Sequence, residues 1–223
     1  MKIQNLEEYA ILIPLRGGSK GIPKKNIYII NKLPLFAYVA KSAIETGCST
    51  YISTEDNEIK NQCHKLFQKI KIVDRPKKLA LDNSSTEEVI EHFIEENQQF
   101  KHIILLQATS PLTTTIDINK AINLYIKNRF RALVSVVKEH SFYWDKEGQP
   151  INYDPFNRPR RQDWDGAYKE NGAIYIFSAE HFSKTKCRAD YQCTLFEMDS
   201  KTTIEIDSKN DLELIEYILK KMN

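Results

Sequence analysis

Ile11-Leu-Ile-Pro-Leu-Arg-Gly-Gly-Ser-Lys-Gly-Ile-Pro-Lys-Lys-Asn26 is the stretch whose reading decides the fold. An apolar run from Tyr9 to Leu15 stops at Arg16 and gives way to Gly17, Gly18, Ser19 and Gly21, with Lys20, Lys24 and Lys25 adding three more cations. A short apolar run closed by turn residues reads as a buried strand of a parallel sheet. Glycines let the following backbone turn freely and let its amides approach a ligand closely. Amide donors and cations on one loop suit a polyphosphate, although a Gly/Lys loop is also an ordinary solvated turn. The loop is of neither standard type. It lacks the Gly-Lys-Ser/Thr ending of a Walker loop, its glycines do not fit G-x-G-x-x-G, and Pro23 discourages an immediate helix.

Outward from this loop the elements alternate. Lys32–Ile44 has helical spacing, with Pro34 suited to its first turn and Gly47 placed to end it. Thr50–Ser53 reads as a strand, Asn57–Phe67 as a helix with Ile59, Cys63, Leu66 and Phe67 on its apolar side, and Lys71–Asp74 as a third strand. The order βαβαβ with right-handed crossovers predicts a mostly parallel sheet flanked by helices. Ser84 with Glu87 and Ser85 with Glu88 both fit a capping box opening a helix over 87–97, and the same Ser/Thr-rich start offers N–H groups to a ligand. His102–Leu106 reads as a central strand ending in Gln107, at the edge where open α/β sheets bind ligands; Gln107 there has donor and acceptor for a base edge or serves an ordinary turn. A helix over 116–128 and a strand over 132–137 follow.

Residues 139–170 interrupt the rhythm with Trp144, Trp164, Phe142, Phe156, Tyr143, Tyr153 and the run Arg158-Pro-Arg-Arg-Gln162. An insertion of this length is a functional or interface segment. Its composition suits subunit contact first, with single-stranded nucleic acid or an acidic sugar as other readings. Glu170–Phe177 returns as a strand. Thr202–Asp207 reads as the last strand, which would put Glu205 and Asp207 on one face, either as oxygen ligands for Mg²⁺ or as a solvent-facing residue and a helix cap. A helix through Lys221 closes the chain.

The bulk properties bound the function. The 223 residues suit one well-buried domain, and 41% hydrophobic with 28% charged residues is globular composition. A net charge of +2 argues against nucleic acid or membrane partners. The first residues lack a signal-peptide core and no run approaches a membrane span. Cys48, Cys63, Cys187 and Cys193 form no CxxC pair and the histidines are scattered, so reduced thiols in a cytoplasmic protein are expected and a zinc site is not.

Four separated segments resemble, in order, the CMP-sialic acid synthetases, the cytidylyltransferases that activate nine-carbon acidic sugars. They are Arg16–Asn26, Leu105-Leu-Gln-Ala-Thr-Ser-Pro-Leu112, Arg160-Arg161-Gln162 with Asn171-Gly-Ala-Ile-Tyr-Ile176, and Ile204-Glu-Ile-Asp207. The resemblance runs from about Ile11 to the final helix. It implies a single Rossmann-like nucleotidyltransferase domain over 1–223, with 139–170 as an arm exchanged between subunits of a homodimer. It further implies transfer of CMP from CTP to a sialic, legionaminic or pseudaminic acid, with Mg²⁺ or Mn²⁺ as the metal and pyrophosphate released, for surface glycan biosynthesis.

By the same resemblance Leu15, Arg16, Gly17, Ser19, Lys20, Lys24, Asn26, Ser85 and Thr86 fall on nucleotide-binding positions. Gln107, Arg161, Lys169 and Tyr175 fall near the sugar. Glu205 and Asp207 fall on the metal pair, and Arg16, Lys20 and Asp207 on catalytic positions. Three residues depart from the family pattern: Glu205 stands for its first Asp, Lys169 for an Arg, and Trp144 for a Lys. A cytidylyltransferase for the eight-carbon sugar Kdo, a catalytically inactive CTP-binding homologue, and a nucleic-acid binder using Arg158, Arg160 and Arg161 are the alternatives.

Overall fold

The computed structural model describes residues 5–19 and 21–222. Strand β1 (Tyr9–Pro14) is an interior strand of the main sheet and is followed by a two-strand hairpin, β2 (Ile29–Ile30) and β3 (Leu33–Pro34). Then come α1 (Leu35–Glu45), β4 (Ser49–Thr54), α2 (Asn57–Leu66), β5 (Lys71–Asp74), α3 (Thr86–Glu96) and β6 (His102–Leu106). The second half holds α4 (Thr115–Lys127), β7 (Leu133–Glu139), β8 (Ala167–Ser178), α5 (Ala179–Thr185), β9 (Thr194–Glu197) and α6 (Lys209–Met222).

The large sheet has the order β5-β4-β1-β6-β8-β7-β9. Strands β5, β4, β1 and β6 are mutually parallel, as the βαβαβ reading predicts. Strand β8 runs antiparallel to both β6 and β7, and β9 pairs parallel with β7.

Both faces of β1 are covered, which is why its sequence is continuously apolar. Tyr9, Ile11, Ile13 and Leu15 face a core built with Phe36 and Val39 of α1, Ile59 of α2 and Ile122 of α4. Ala10 and Leu12 face Ile90 and Phe93 of α3 and Phe182 of α5. Each fully buried Ile, Leu or Phe contributes about 1.5–3 kcal/mol relative to exposure. Helix α6 covers a third cluster in which Leu212, Ile215 and Leu219 meet Ile22, Ile30, Leu35 and Ile206.

Four details differ from the sequence reading. The helix expected from Lys32 begins at Leu35, because Asn31 and Lys32 adopt positive φ and close the β2–β3 hairpin. Leu66, expected on the apolar side of α2, is exposed. The last strand is not at 202–207: Ser200–Thr203 is a 3-10 turn, and the Ile206 N–H donates to Thr109 O at 3.0 Å, in the turn after β6. The strand stands earlier, at β9, where Thr194 and Phe196 are buried and Leu195 and Glu197 exposed. Ile204-Glu-Ile206 has strand alternation, but no ladder partner is left for it.

The fourth difference concerns the arm. Glu139 pairs with Ala167 and Val136 with Glu170, so the ends of the 139–170 insertion belong to the β7–β8 hairpin and the irregular part is 140–166. That part is organised by side chains. Phe142 lies against Trp164 and Tyr153 with ring centroids 4.7 and 4.2 Å apart, and the Arg158 guanidinium sits 4.4 Å from the Phe142 centroid. Aromatic stacking and cation–π contact replace a backbone ladder here.

Candidate active site

The carboxyl ends of β1, β5 and β6 open into a cleft of about 290 Å³. One wall is the glycine loop, with Arg16, Gly18, Ser19, Lys25 and Asn26. The opposite wall is the segment entering α3, with Asp82, Ser84, Ser85 and Thr86, and the third is Gln107 to Thr109 after β6.

The loop is held from behind. Leu15, fully buried, donates its N–H to Ser53 O at 2.9 Å, extending the β1–β4 pairing by one residue. The Gly17 N–H donates to Glu55 Oε1 at 2.7 Å, and a Cβ on Gly17 would fall 2.4 Å from Asp56 Oδ2. Only glycine passes this close to Asp56, whose carboxylate caps α2 through the Ile59 N–H. Asn26 Nδ2 donates to Arg16 O at 2.9 Å and so ties the two ends of the loop together.

Charges converge on the cleft from several elements. Arg16 spans it, donating to Asp82 Oδ1 at 3.2 Å on the opposite wall. Lys25 is largely buried, and its ammonium donates to Ile206 O at 2.7 Å and Asp207 Oδ1 at 3.0 Å. Arg75 lines the cleft at 6% exposure, with Nη2 donating to Ser53 O at 2.6 Å and Nε to Ser53 Oγ at 3.2 Å. Burial pulls its pKa down to about 10, against the opposing influence of Glu55, and it stays protonated at neutral pH. Glu55 Oε2 is buried with no hydrogen-bond partner among the described residues, and the Arg75 charge offsets it.

Helix α3 starts with the capping box read from the sequence. Ser85 Oγ accepts from the Glu88 N–H at 3.1 Å, and the Ser85 N–H donates to Glu88 Oε2 at 2.7 Å. The second box does not form. Ser84 Oγ donates to Lys78 O, and Glu87 pairs with Arg188.

Of the residues expected in the site, Arg16, Ser19, Asn26, Ser85, Thr86 and Gln107 line this cleft together. Leu15 and Gly17 stand behind it as anchors. Lys24 does not line it: the residue has φ +53 and its ammonium turns out to Glu58 at 2.5 Å, while Lys25 takes the inward place. Of two adjacent lysines only one can face in, and nothing local in the sequence says which. Lys20 lies outside the described residues. Arg161 is exposed in a 3-10 turn of the arm, Lys169 lies 3.8 Å from Glu139, and Tyr175, within β8, is buried with its hydroxyl donating to Glu170. These three sugar-side residues do not line the cleft.

Glu205 and Asp207 each reach it through an intermediary. Thr109 Oγ1, on the cleft wall, donates to Glu205 Oε1 at 3.2 Å, and Lys25 links the cleft to Asp207. Their donors are oxygen only, which suits Mg²⁺. Among the described residues no group of three or more His, Cys, Asp or Glu side chains forms a ready metal cage. Mg²⁺ commonly takes one or two carboxylates and completes its shell with water and substrate phosphates, and this pair fits such shared coordination. Arg75, Thr109 and Asp82 were not singled out from sequence. The available signal for Arg75 was position, directly after a parallel strand and before Pro76.

Similarity to known proteins agrees with this geometry. A family model described as cytidylyltransferase matches residues 10–223. The chain is 37% identical over 178 residues to N-acylneuraminate cytidylyltransferase of Oncorhynchus mykiss, covering 76% of this chain and 41% of that one. It is 30% identical over 221 residues to pseudaminic acid cytidylyltransferase of Campylobacter jejuni, covering 94% and 95%. The chain thus spans about half the length of the N-acylneuraminate relatives it matches, such as the Danio rerio protein of which it covers 49%, and nearly all of the pseudaminic acid one.

Among solved structures, CMP:2-keto-3-deoxy-manno-octonic acid synthetase complexed with CTP superposes with a TM-score of 0.73 at 16% identity, covering 97% of this chain and 100% of that one. 4-Diphosphocytidyl-2C-methyl-D-erythritol synthase of Anaerococcus prevotii gives 0.70 at 10%, covering 95% and 98%. The sheet and its helices are the Rossmann-like nucleotidyltransferase fold. The chain belongs to the cytidylyltransferase family.

Proposed function

We propose that this protein transfers CMP from CTP to the anomeric hydroxyl of a nine-carbon acidic sugar and releases pyrophosphate. The observation that carries the reading is the cleft itself: a glycine loop held open from behind, facing a capped helix start, with Arg16, Lys25 and Arg75 converging on it. In the reaction the anomeric oxygen bonds to the α-phosphorus as the bond from that phosphorus to the bridging oxygen breaks. Pyrophosphate departs in line, and the hydroxyl proton passes to solvent.

Such a step asks for positioning and charge neutralisation. Arg16 exchanges Asp82 for phosphate oxygens, and Lys20 belongs to the same loop. Lys25 holds Asp207 in place and adds positive charge beside the phosphates. Arg75 offers buried N–H donors to the acceptor edge of the base, and Gln107 meets the nucleotide–sugar junction. Mg²⁺, held by Asp207 and by Glu205 directly or through water, would supply Lewis-acid stabilisation of phosphate oxygens.

The arm belongs to the same reading. Arg161 is exposed and does not line its own cleft, and Trp144, Ile151 and Phe156 of the same arm are exposed. Arm exchange in a homodimer would carry Arg161 to the sugar end of the partner's cleft, while Lys169 stays in the sheet opposite Val137. No helix among the described residues is long and apolar enough to cross a membrane, in keeping with a cytoplasmic enzyme of surface glycan biosynthesis. One observation favours a second reading, an inactive CTP-binding homologue: Glu205 already has a partner in Thr109.

Pyrophosphate release from CTP and Mg²⁺ with sialic, legionaminic and pseudaminic acids, and with Kdo and ATP as controls, separates these readings. Release confined to CTP and one nine-carbon acid supports the enzyme. CTP binding without release from any sugar supports the inactive homologue.

A further inference from the structure

Tyr175 was expected near the sugar together with Arg161 and Lys169, yet among the described residues neither of these cations lies over its ring. The cation that does is Arg188, on the loop between α5 and β9, whose guanidinium carbon lies 4.6 Å from the Tyr175 ring centroid. Arg188 Nη1 donates to Glu87 Oε1 at 2.7 Å. Glu87 is in the first turn of α3, next to Thr86 on the cleft wall. The Tyr175 hydroxyl donates to Glu170, at the end of β8 that lies beyond the Ile174–Leu106 pairing, on the side where Gln107 leaves β6. Burial first, and then the bond to Glu170, raise the Tyr175 pKa, so the phenol keeps its proton. The four residues therefore form one polar cluster continuing from the α3 wall of the cleft. The Arg188 side chain is 22% exposed and the Glu87 side chain 32%.

We infer that Arg188 determines which sugar is accepted, by donating hydrogen bonds to neutral acceptor substituents of the sugar, acylamino carbonyls or hydroxyls, remote from its carboxylate. This rests on the cytidylyltransferase reading of the cleft. A guanidinium has five N–H donors in a rigid plane, and the tether to Glu87 occupies one edge of it. The Tyr175 face fixes the plane, so little side-chain entropy remains to be lost when a ligand binds. Glu87 and Glu170 outnumber the single Arg188 charge, so the cluster repels a carboxylate and suits neutral groups. The sugar's acid group is left for the cations of the arm. Lys186 on the same loop pairs with Glu91, one turn further along α3, and anchors the loop independently of Arg188.

The test is calorimetric titration of sialic, legionaminic and pseudaminic acids into the full chain saturated with CDP and Mg²⁺, for the wild type, Arg188→Ala and Arg188→Lys. The expected result is a loss of about ten-fold or more in affinity for the preferred sugar in Arg188→Ala, as for a lost charge-assisted hydrogen bond. Partial recovery in Arg188→Lys, narrowed discrimination among the three sugars, and unchanged CDP affinity complete the expectation. Unchanged sugar affinity in a folded Arg188→Ala overturns the inference. So does a parallel fall in sugar affinity, CDP affinity and melting temperature, which marks a structural tether. So does a wild type that binds no sugar. A wild type that binds a sugar yet releases no pyrophosphate overturns the catalytic reading instead, and the same titrations then still decide the role of Arg188.

Discussion

The carboxylate of Glu205 lies 3.1 Å from the point where a Cβ on Gly172 would sit, so the absence of a side chain at 172 makes the space that Glu205 occupies. Gly172 has φ +65, inside an irregular stretch where Val134 pairs with Tyr175 and Val136 with Glu170. Ser135 fills the gap: its hydroxyl donates to Asn171 Oδ1 at 2.6 Å and accepts from the Ile174 N–H at 2.8 Å. Asn171 Nδ2 donates to Thr202 Oγ1 at 2.9 Å. The Asn-Gly pair thus locks β8 to the segment that delivers Glu205 and Asp207.

Gly172→Ala is expected to cost on the order of 1–3 kcal/mol in stability, from positive φ and the clash with Glu205 together. Pyrophosphate release should fall further than the melting temperature predicts, because Glu205 is displaced. Thermal melts and turnover measured on the same preparation check this, and an unperturbed Gly172→Ala enzyme would contradict the assigned contact.

The two adjacent lysines should separate cleanly. Lys25→Ala is expected to lower kcat/KM for CTP on the order of 10²–10³-fold, since a cation directed at developing charge is removed. Lys24→Ala should leave kcat/KM within about two-fold of wild type, since it loses only an exposed ion pair to Glu58. Equal effects would mean that Lys25 does not act in the cleft.

Chelation of divalent metal should abolish pyrophosphate release, with recovery on adding Mg²⁺. Asp207→Asn should raise the Mg²⁺ concentration needed for half-maximal rate and leave the melting temperature near wild type, because Asp207 is exposed. Glu205→Asp, which restores the shorter family residue, is expected to keep activity. A metal dependence unchanged by Asp207→Asn would remove Asp207 from the metal.

His102 provides a pH prediction. It stacks between Tyr9 and Phe130 and bonds the Tyr125 hydroxyl through Nδ1 at 3.1 Å. Burial lowers its pKa below the ordinary 6.5, with Glu8 opposing and Lys101 assisting the shift. The unfolded chain therefore binds this proton more readily than the folded one. The contribution of His102 is full above 6.5 and is lost as pH falls from there through the lowered folded value. Denaturant titrations between neutral and mildly acidic pH should show falling stability, with a shallower slope in His102→Phe. An unchanged slope would count against it.

Much of the site was readable from sequence because its parts are local. The strand–glycine loop, the Ser85/Glu88 capping box and Gln107 after a central strand each lie within a few residues of the features that define them, and all three line one cleft. Arg75 and Thr109 were missed because their significance is positional. An arginine after a strand acquires a role only when its neighbours bury it beside Glu55 and Ser53.

Periodicity and punctuation in the chain determined by themselves the parallel half of the sheet, the helices around it and the glycine loop after β1. Hydrophobic spacing acts through nearest neighbours along the chain, so those elements needed no knowledge of distant contacts. Only the tertiary structure decided that β8 runs antiparallel between β6 and β7, that the last strand is Thr194–Glu197, that Lys25 faces inward, and that Arg188 meets Tyr175. Each depends on which surface a residue meets after the chain has closed on itself. Strand alternation at 204–206 was genuine, but a strand also needs a partner with free backbone groups, and none remained there.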